Sequence, residues 1–88
     1  MFLTFGAKTK GAVATGAATV ALPGNSGRYL ITSNTDCFLR FGGLVASSTN
    51  FDLFLPAGGM VLVHPPSSQD ASVIRDTADG TLVIHEAL

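Results

Sequence analysis

The sequence predicts an all-β fold: a small antiparallel β-sandwich or jelly-roll-like barrel. Residues 1–19 read as an extended N-terminal arm or edge strand, and residues 20–88 as the β-sandwich domain. Three observations predict this. Turn residues punctuate the chain at short, fairly even intervals, and the runs between them, four to six residues long, are rich in Val, Ile, Leu, Phe and Thr. No segment carries a sustained i, i+3, i+4 apolar pattern with a cap, so no helix is expected. The length, 88 residues, holds one domain.

Taken in order, Phe2–Phe5 is a short candidate strand. Gly6–Thr19 is a low-complexity run of Gly, Ala, Thr and Lys, in which Gly11 and Gly16 interrupt any helix; it reads as the arm or edge strand. Ala18–Leu22 is a strand candidate that ends at Pro23-Gly24-Asn25-Ser26-Gly27. That pentapeptide is the strongest turn signal in the chain, because Pro fixes one φ and Gly and Asn supply positive φ. Arg28–Ser33 and Cys37–Phe41 are strands joined by Asn34-Thr35-Asp36, and the pair reads as a hairpin. Period-two alternation places Cys37, Leu39 and Phe41 on one face, with Phe38 and Arg40 on the other.

Ala46–Asn50 is a polar loop. Phe51–Leu55 is a strand ended by Pro56-Ala57-Gly58-Gly59, with Phe51, Leu53 and Leu55 opposing Asp52 and Phe54. Met60–His64 follows, stopped by Pro65-Pro66; Val61 and Val63 oppose Met60, Leu62 and His64. The loop Ser67–Asp70 leads into Ala71–Asp76, and Asp79-Gly80 turns into Thr81–Glu86. The run from Val73 to Ile84 therefore reads as a second hairpin. In the last strand Leu82 and Ile84 point one way, and Thr81, Val83 and His85 the other. Several strands thus carry large apolar groups on both faces, where a lone antiparallel sheet shows one polar face. Both faces are expected to be covered, the second by a neighbouring chain.

Composition agrees. The hydrophobic fraction is 47% and the charged fraction 12%, against about 25% charged residues in an average soluble domain. So few charges protect a free monomer poorly against association. A domain of this size also buries only roughly 60–65% of its unfolded surface, and small domains draw support from disulfides, metals or oligomerisation. The one cysteine, Cys37, forms no internal disulfide, and one Cys with two His falls short of the four ligands of a structural zinc site. Oligomerisation or docking on a larger partner is the support that remains.

The net charge is −1, and Lys8, Lys10, Arg28, Arg40 and Arg75 are scattered, so nucleic acid is not expected as a partner. Lys8 and Lys10 read as a solvated pair. Met1–Phe5 is too short for a signal-peptide core and lacks a basic start. No stretch approaches the ~18 apolar residues of a membrane span. The expectation is a protein made and kept in a cytoplasm, with no membrane partner.

No catalytic, cofactor-binding or metal-ligating residue is assigned. There is no Gly-x-Ser-x-Gly elbow. Cys37 alternates with Leu39 and Phe41 and reads as a buried small hydrophobe rather than a nucleophile. His64 and His85 approach each other only if their strands pair, and alternation turns Glu86 to the face opposite His85. Asp70, Asp76 and Asp79 lack the alternating ligands of a calcium loop, so Asp79-Gly80 reads as a turn. Gly42-Gly43 and Gly58-Gly59 lack the Lys-Ser/Thr of a phosphate loop and also read as turns.

The order of these segments carries a resemblance. A Gly/Ala/Thr-rich N-terminal stretch precedes VALPGNSGRYLITSNTDCFLRFG (Val20–Gly42). A polar loop, FLPAGGMVLV (Phe54–Val63) and ASVIRDTADGTLVIHEAL (Ala71–Leu88) follow. This is similar to small virion proteins of tailed bacteriophages of the capsid decoration (cement) type, over most of the chain beyond Val20. The shared features are turn and core residues, which specify a fold better than a job. The resemblance implies a β-sandwich or jelly-roll-like module that binds and stabilises the major capsid protein lattice on the virion, assembled in the bacterial host cytoplasm. It implies no catalytic residues and no cofactor. It also implies a homo-oligomer, with a trimer favoured over a dimer on the lattice analogy, although dimers are commonest in general. In this reading Met1–Thr19 contacts the shell or a sister subunit by adding a strand to an open sheet edge.

Two other readings use the same features. A tail, adaptor or fibre-base component of the phage particle needs the same small adhesive β module. A carbohydrate- or ligand-binding β-sandwich needs an aromatic ring for stacking; there is no Trp, and Tyr29 is the only Tyr. An enzyme lacks any acid–base pair to build on.

Overall fold

Alternating apolar residues become eight strands. The computed structural model describes residues 4–65 and 70–88. The strands are β1 (Phe5–Val13), β2 (Ala18–Val20), β3 (Tyr29–Ser33), β4 (Cys37–Arg40), β5 (Leu53–Leu55), β6 (Met60–Val63), β7 (Ala71–Arg75) and β8 (Gly80–Ala87). There is no helix among the described residues. The strands form two four-stranded antiparallel sheets, β1-β8-β3-β6 and β2-β7-β4-β5. The pairing is nested: β1 with β8, β2 with β7, β3 with β6 and β4 with β5. The pairs β3–β8 and β4–β7 join these ribbons into sheets.

Both sheets turn one face toward a shared core. Ile31, Leu82 and Ile84 come from the first sheet and Cys37, Leu39 and Val73 from the second, all fully buried. Val13 and Val20 extend the cluster, and Leu53, Val61 and Val63 pack at its margin. The facing sets expected for β4, β6 and β8 are those observed: Cys37, Leu39 and Phe41 inside, Val61 and Val63 toward the core, Leu82 and Ile84 inside.

The stretch expected as an arm or edge strand is an edge strand over Phe5–Val13. It pairs with β8 from Val13 opposite Gly80 to Lys8 opposite His85, with a register irregularity between Phe5 and Lys8. Phe2 and Leu3 of the first candidate strand, and Pro66, Ser67, Ser68 and Gln69 of the Pro-Pro stop and the following loop, lie outside the described residues.

Both expected hairpins are corrected. β3 and β4 belong to different sheets, as do β7 and β8. Two-residue hairpin turns of the primed types need positive φ. Among the described residues positive φ occurs only at Gly24, Gly27, Gly42, Gly43 and Gly58. Neither Asn34-Thr35-Asp36 nor Asp79-Gly80 takes such a turn. Each is a corner carrying the chain from one sheet to the other, and the two corners lock together. The Asn34 N–H donates to the Thr81 carbonyl at 3.1 Å, and the Thr81 N–H returns a bond to Asn34 Oδ1 at 2.7 Å. The Thr35 hydroxyl donates to the Ala78 carbonyl at 2.8 Å, and the Asp76 N–H to the Asp36 carbonyl at 3.0 Å. A Cβ at residue 80 would collide with Asn34 Oδ1 and with Thr35. Glycine is required there by close approach, not by turn geometry.

Replacing Ile84 by Ala is expected to cost about 2–5 kcal/mol, since it leaves a cavity between the sheets. Val83→Ala, one residue along on the outer face, is expected to cost about 1 kcal/mol or less. Urea unfolding of the two variants checks this, and equal losses would contradict the assigned faces.

Candidate functional site

The residue types able to do chemistry are dispersed. Cys37 is fully buried and free. Burial pushes its thiol up, the neighbouring Asp36 charge adds to the rise, and the Ser33 hydroxyl partly offsets it. His64 and His85 do not pair: β6 and β8 flank β3 on opposite sides. His85 lies opposite Leu30 and packs edgewise on Phe5, with ring centroids 5.7 Å apart. His64 instead sits over the backbone of Gly27. Asp79 pairs with Arg75 at 2.7 Å, the one ion pair among the described residues. Among the described residues no three His, Cys, Asp or Glu side chains gather as a metal site. Tyr29, the ring the carbohydrate reading needs, is buried.

One carboxylate has a defined structural role. β8 alternation turns Glu86 to the inner side with Leu82 and Ile84, so it needs donors there. They come from backbone: the N–H groups of Asn25 and Ser26 donate to Oε2 at 2.9 and 3.0 Å, and that of Ala7 to Oε1 at 3.3 Å. The Asn25 N–H does most to hold the carboxyl below its usual range, followed by that of Ser26; desolvation opposes them, and Ala7 adds a smaller lowering. The turn that supplies two of these donors depends on Gly24, whose φ is +65° and whose missing side chain leaves room for the carboxylate itself. Glu86 thereby ties β8, the 24–27 turn and the start of β1 together.

Exposed apolar side chains stand on the outer faces of the sheets and, at Leu44 and Val45, in the loop after β4. On the second sheet Phe38 of β4 stands between Ile74 of β7 and Phe54 of β5. Phe51 joins them. Its ring centroid is 4.8 Å from that of Phe38, and the Phe54 centroid is 5.3 Å away, both pairs tilted. Such pairs contribute about 0.5–1.5 kcal/mol each beyond their area. The sequence groups Phe51 with Leu53 and Leu55; that is corrected here, because Phe51 precedes β5. The Asp52 clamp sets it in place: Asp52 Oδ2 accepts from the Phe41 N–H at 2.9 Å, and its own N–H donates to the Leu39 carbonyl at 2.8 Å. Phe51 and Phe54 remain 41% and 40% exposed.

On the first sheet two cross-strand rows face outward. One runs Lys8, His85, Leu30, Leu62; the other runs Lys10, Val83, Thr32, Met60. Cations stand at the β1 edge and aliphatic side chains at the β6 edge. Met60 is 68% and Leu62 53% exposed. An open hollow of about 410 Å³ lies among Lys8, Lys10, Val83 and His85. Lys8 and Lys10, which the sequence gives as a solvated pair, are thus part of a patterned strand face. Their spacing of two is the signal that shows it. The role of Glu86 was also legible in part, since an acid at an inward position calls for donors and the Gly-Asn-Ser-Gly turn has N–H groups to offer.

No protein-family model, curated protein or solved structure matches the chain.

Two outcomes follow. Cys37 is expected to resist a thiol reagent in the native state and to react fully once urea unfolds the chain; fast native labelling would contradict its burial. Glu86 titrates lower when folded, so its contribution is complete above the ordinary glutamate value of about 4.3. It is lost as pH falls through the lower folded-state value. Glu86→Gln is therefore expected to be less stable than the native chain at pH 7 and to lose less on acidification. Parallel pH–stability curves would refute this.

Proposed function

We propose that this chain is a non-enzymatic structural protein of a bacteriophage particle, a decoration (cement) module that stabilises the capsid by docking its outer sheet faces on neighbouring chains. The observation that carries this reading is that both sheets bear apolar side chains on the faces turned away from the core. Phe38, Phe51, Phe54 and Ile74 stand on one, and Leu30, Leu62 and Met60 on the other. Exposed apolar patches rimmed by polar residues mark interaction surfaces. A chain with 12% charged residues has little else with which to cover two sheets.

The strand order supports the reading at the level of fold. Nested pairing of first with last, second with second-last and so on, in two sheets, matches the eight-stranded jelly roll of capsid domains, an arrangement that lectins and cupins share. Fold alone does not fix function, so the proposal rests on the faces. The Ile74–Phe38–Phe54 row of the second sheet is apolar, and Arg40 stands beside it on the same face. We assign this face to contact between copies of this chain, a trimer ahead of a dimer on the lattice analogy. The N-terminal strand lends its Lys8 and Lys10 to the shell-facing side. Copy number separates the head from the tail: many copies per particle belong to a capsid lattice, a small ring to a tail or adaptor position.

Phe51→Ser combined with Phe54→Ser is expected to keep the fold, because both rings are already about 40% exposed. It is expected to weaken self-association about tenfold or more. Analytical ultracentrifugation reads the assembly state, and cryo-electron microscopy of particles from the encoding phage reads the position. A native chain that stays monomeric at high concentration and is absent from the particle sinks the proposal.

A further inference from the structure

We propose that the outer face of the first sheet docks an acidic, apolar protein surface belonging to a different chain, with Lys8 and Lys10 engaging its carboxylates. This rests on the reading of the outer faces as contact surfaces and names the partner chemistry of one of them.

The argument starts from the two rows. Each begins with a lysine on β1 and ends, three strands away, with an exposed aliphatic side chain on β6. At about 4.8 Å per strand the face is about 14 Å across, the width of a partner strand pair or helix. No carboxylate stands in either row. Glu86 is turned inward onto backbone donors, and Asp79 is held by Arg75. The lysines make no ion pair among the described residues, while the whole chain carries a net charge of −1. The face thus carries two lysines and no carboxylate.

That asymmetry disfavours pairing of this face with the same face of a second copy. A two-fold pairing of this face with itself sets the lysines against aliphatic side chains with no acid to meet them, and an ammonium group buried without a partner is costly. Nucleic acid fits poorly, because proteins that grip it make on the order of 6–10 phosphate contacts, and Leu62 and Met60 have nothing to do on a phosphate backbone. Anionic lipid recognition draws on clusters of about 4–8 basic residues. A protein surface that alternates carboxylates with apolar side chains matches both halves of the face. The hollow between Lys8, Lys10, Val83 and His85 gives an acidic side chain a seat.

The test titrates the full chain with a synthetic peptide of alternating glutamate and leucine. The comparison probes are the same peptide with lysine in place of glutamate, duplex DNA and phosphatidylglycerol vesicles. The acidic peptide is expected to shift the amide resonances of Lys8, Lys10, Val83 and His85 and to bind more weakly as salt is raised. Lys8→Glu with Lys10→Glu is expected to weaken it about tenfold or more, and Lys8→Gln with Lys10→Gln by less. Both pairs lie on an exposed edge, and the unchanged spectrum of the core reports that they fold. Equal binding of the lysine peptide, preference for DNA or vesicles, absence of binding, or indifference to the charge reversal each overturns the proposal. Particle binding that survives charge reversal removes this inference and leaves the assembly role standing. Charge-dependent peptide binding by a chain absent from particles does the reverse.

Discussion

Everything in this fold depends on closing two sheets over one thin core. Stacked sheets sit about 10 Å apart, so the interior holds a single interdigitated layer. Ile31, Leu82 and Ile84 meet Cys37, Leu39 and Val73 within it. Each strand can give only alternate residues to that layer. The other half of every strand must face outward, and in this chain that half is largely apolar or small. The outer surfaces are therefore a geometric consequence of the core, and their chemistry is where function is to be sought.

The polar groups divide the remaining work. Backbone donors on the inward Glu86 hold the 24–27 turn and the start of β1 against β8. The interlocked corners at 34–36 and 76–80 hold the opposite crossing of the chain between sheets. No buried side-chain polar atom among the described residues lacks a partner. Because strands adjacent in sequence mostly sit in different sheets, these corner bonds do what a hairpin ladder does elsewhere. They fix where one strand ends relative to the next. The same fixing sets the register of β1 on β8, and with it the alignment of Lys8 with His85 and of Lys10 with Val83.

The two outer faces differ in kind. The second sheet offers an aromatic row with Arg40 beside it; the first offers a face graded from cations to aliphatics, for which we propose a partner of opposite charge. A chain placed between like copies and an unlike surface is what the proposed lattice role requires.

Strand positions were legible in the sequence because alternation and turn residues are local properties. Every one of the runs from Tyr29 to Ala87 that reads as a strand contains one. The inward sets of β4, β6 and β8 also follow from period two alone. Phe51 was misplaced because a residue just before a strand is no longer bound by its alternation, and the Asp52 clamp decides its direction. Lys8 and Lys10 were legible only as a pair of charges, since nothing local states that β1 lies along β8. What the sequence alone determined is the all-β class, the strand positions from β2 to β8 and the inward sets of β4, β6 and β8. Which strands pair was decided by the tertiary structure alone. Asn-Thr-Asp and Asp-Gly reverse the chain equally well within a sheet or between sheets, and only the burial of both inner faces in one core selects the corner over the hairpin.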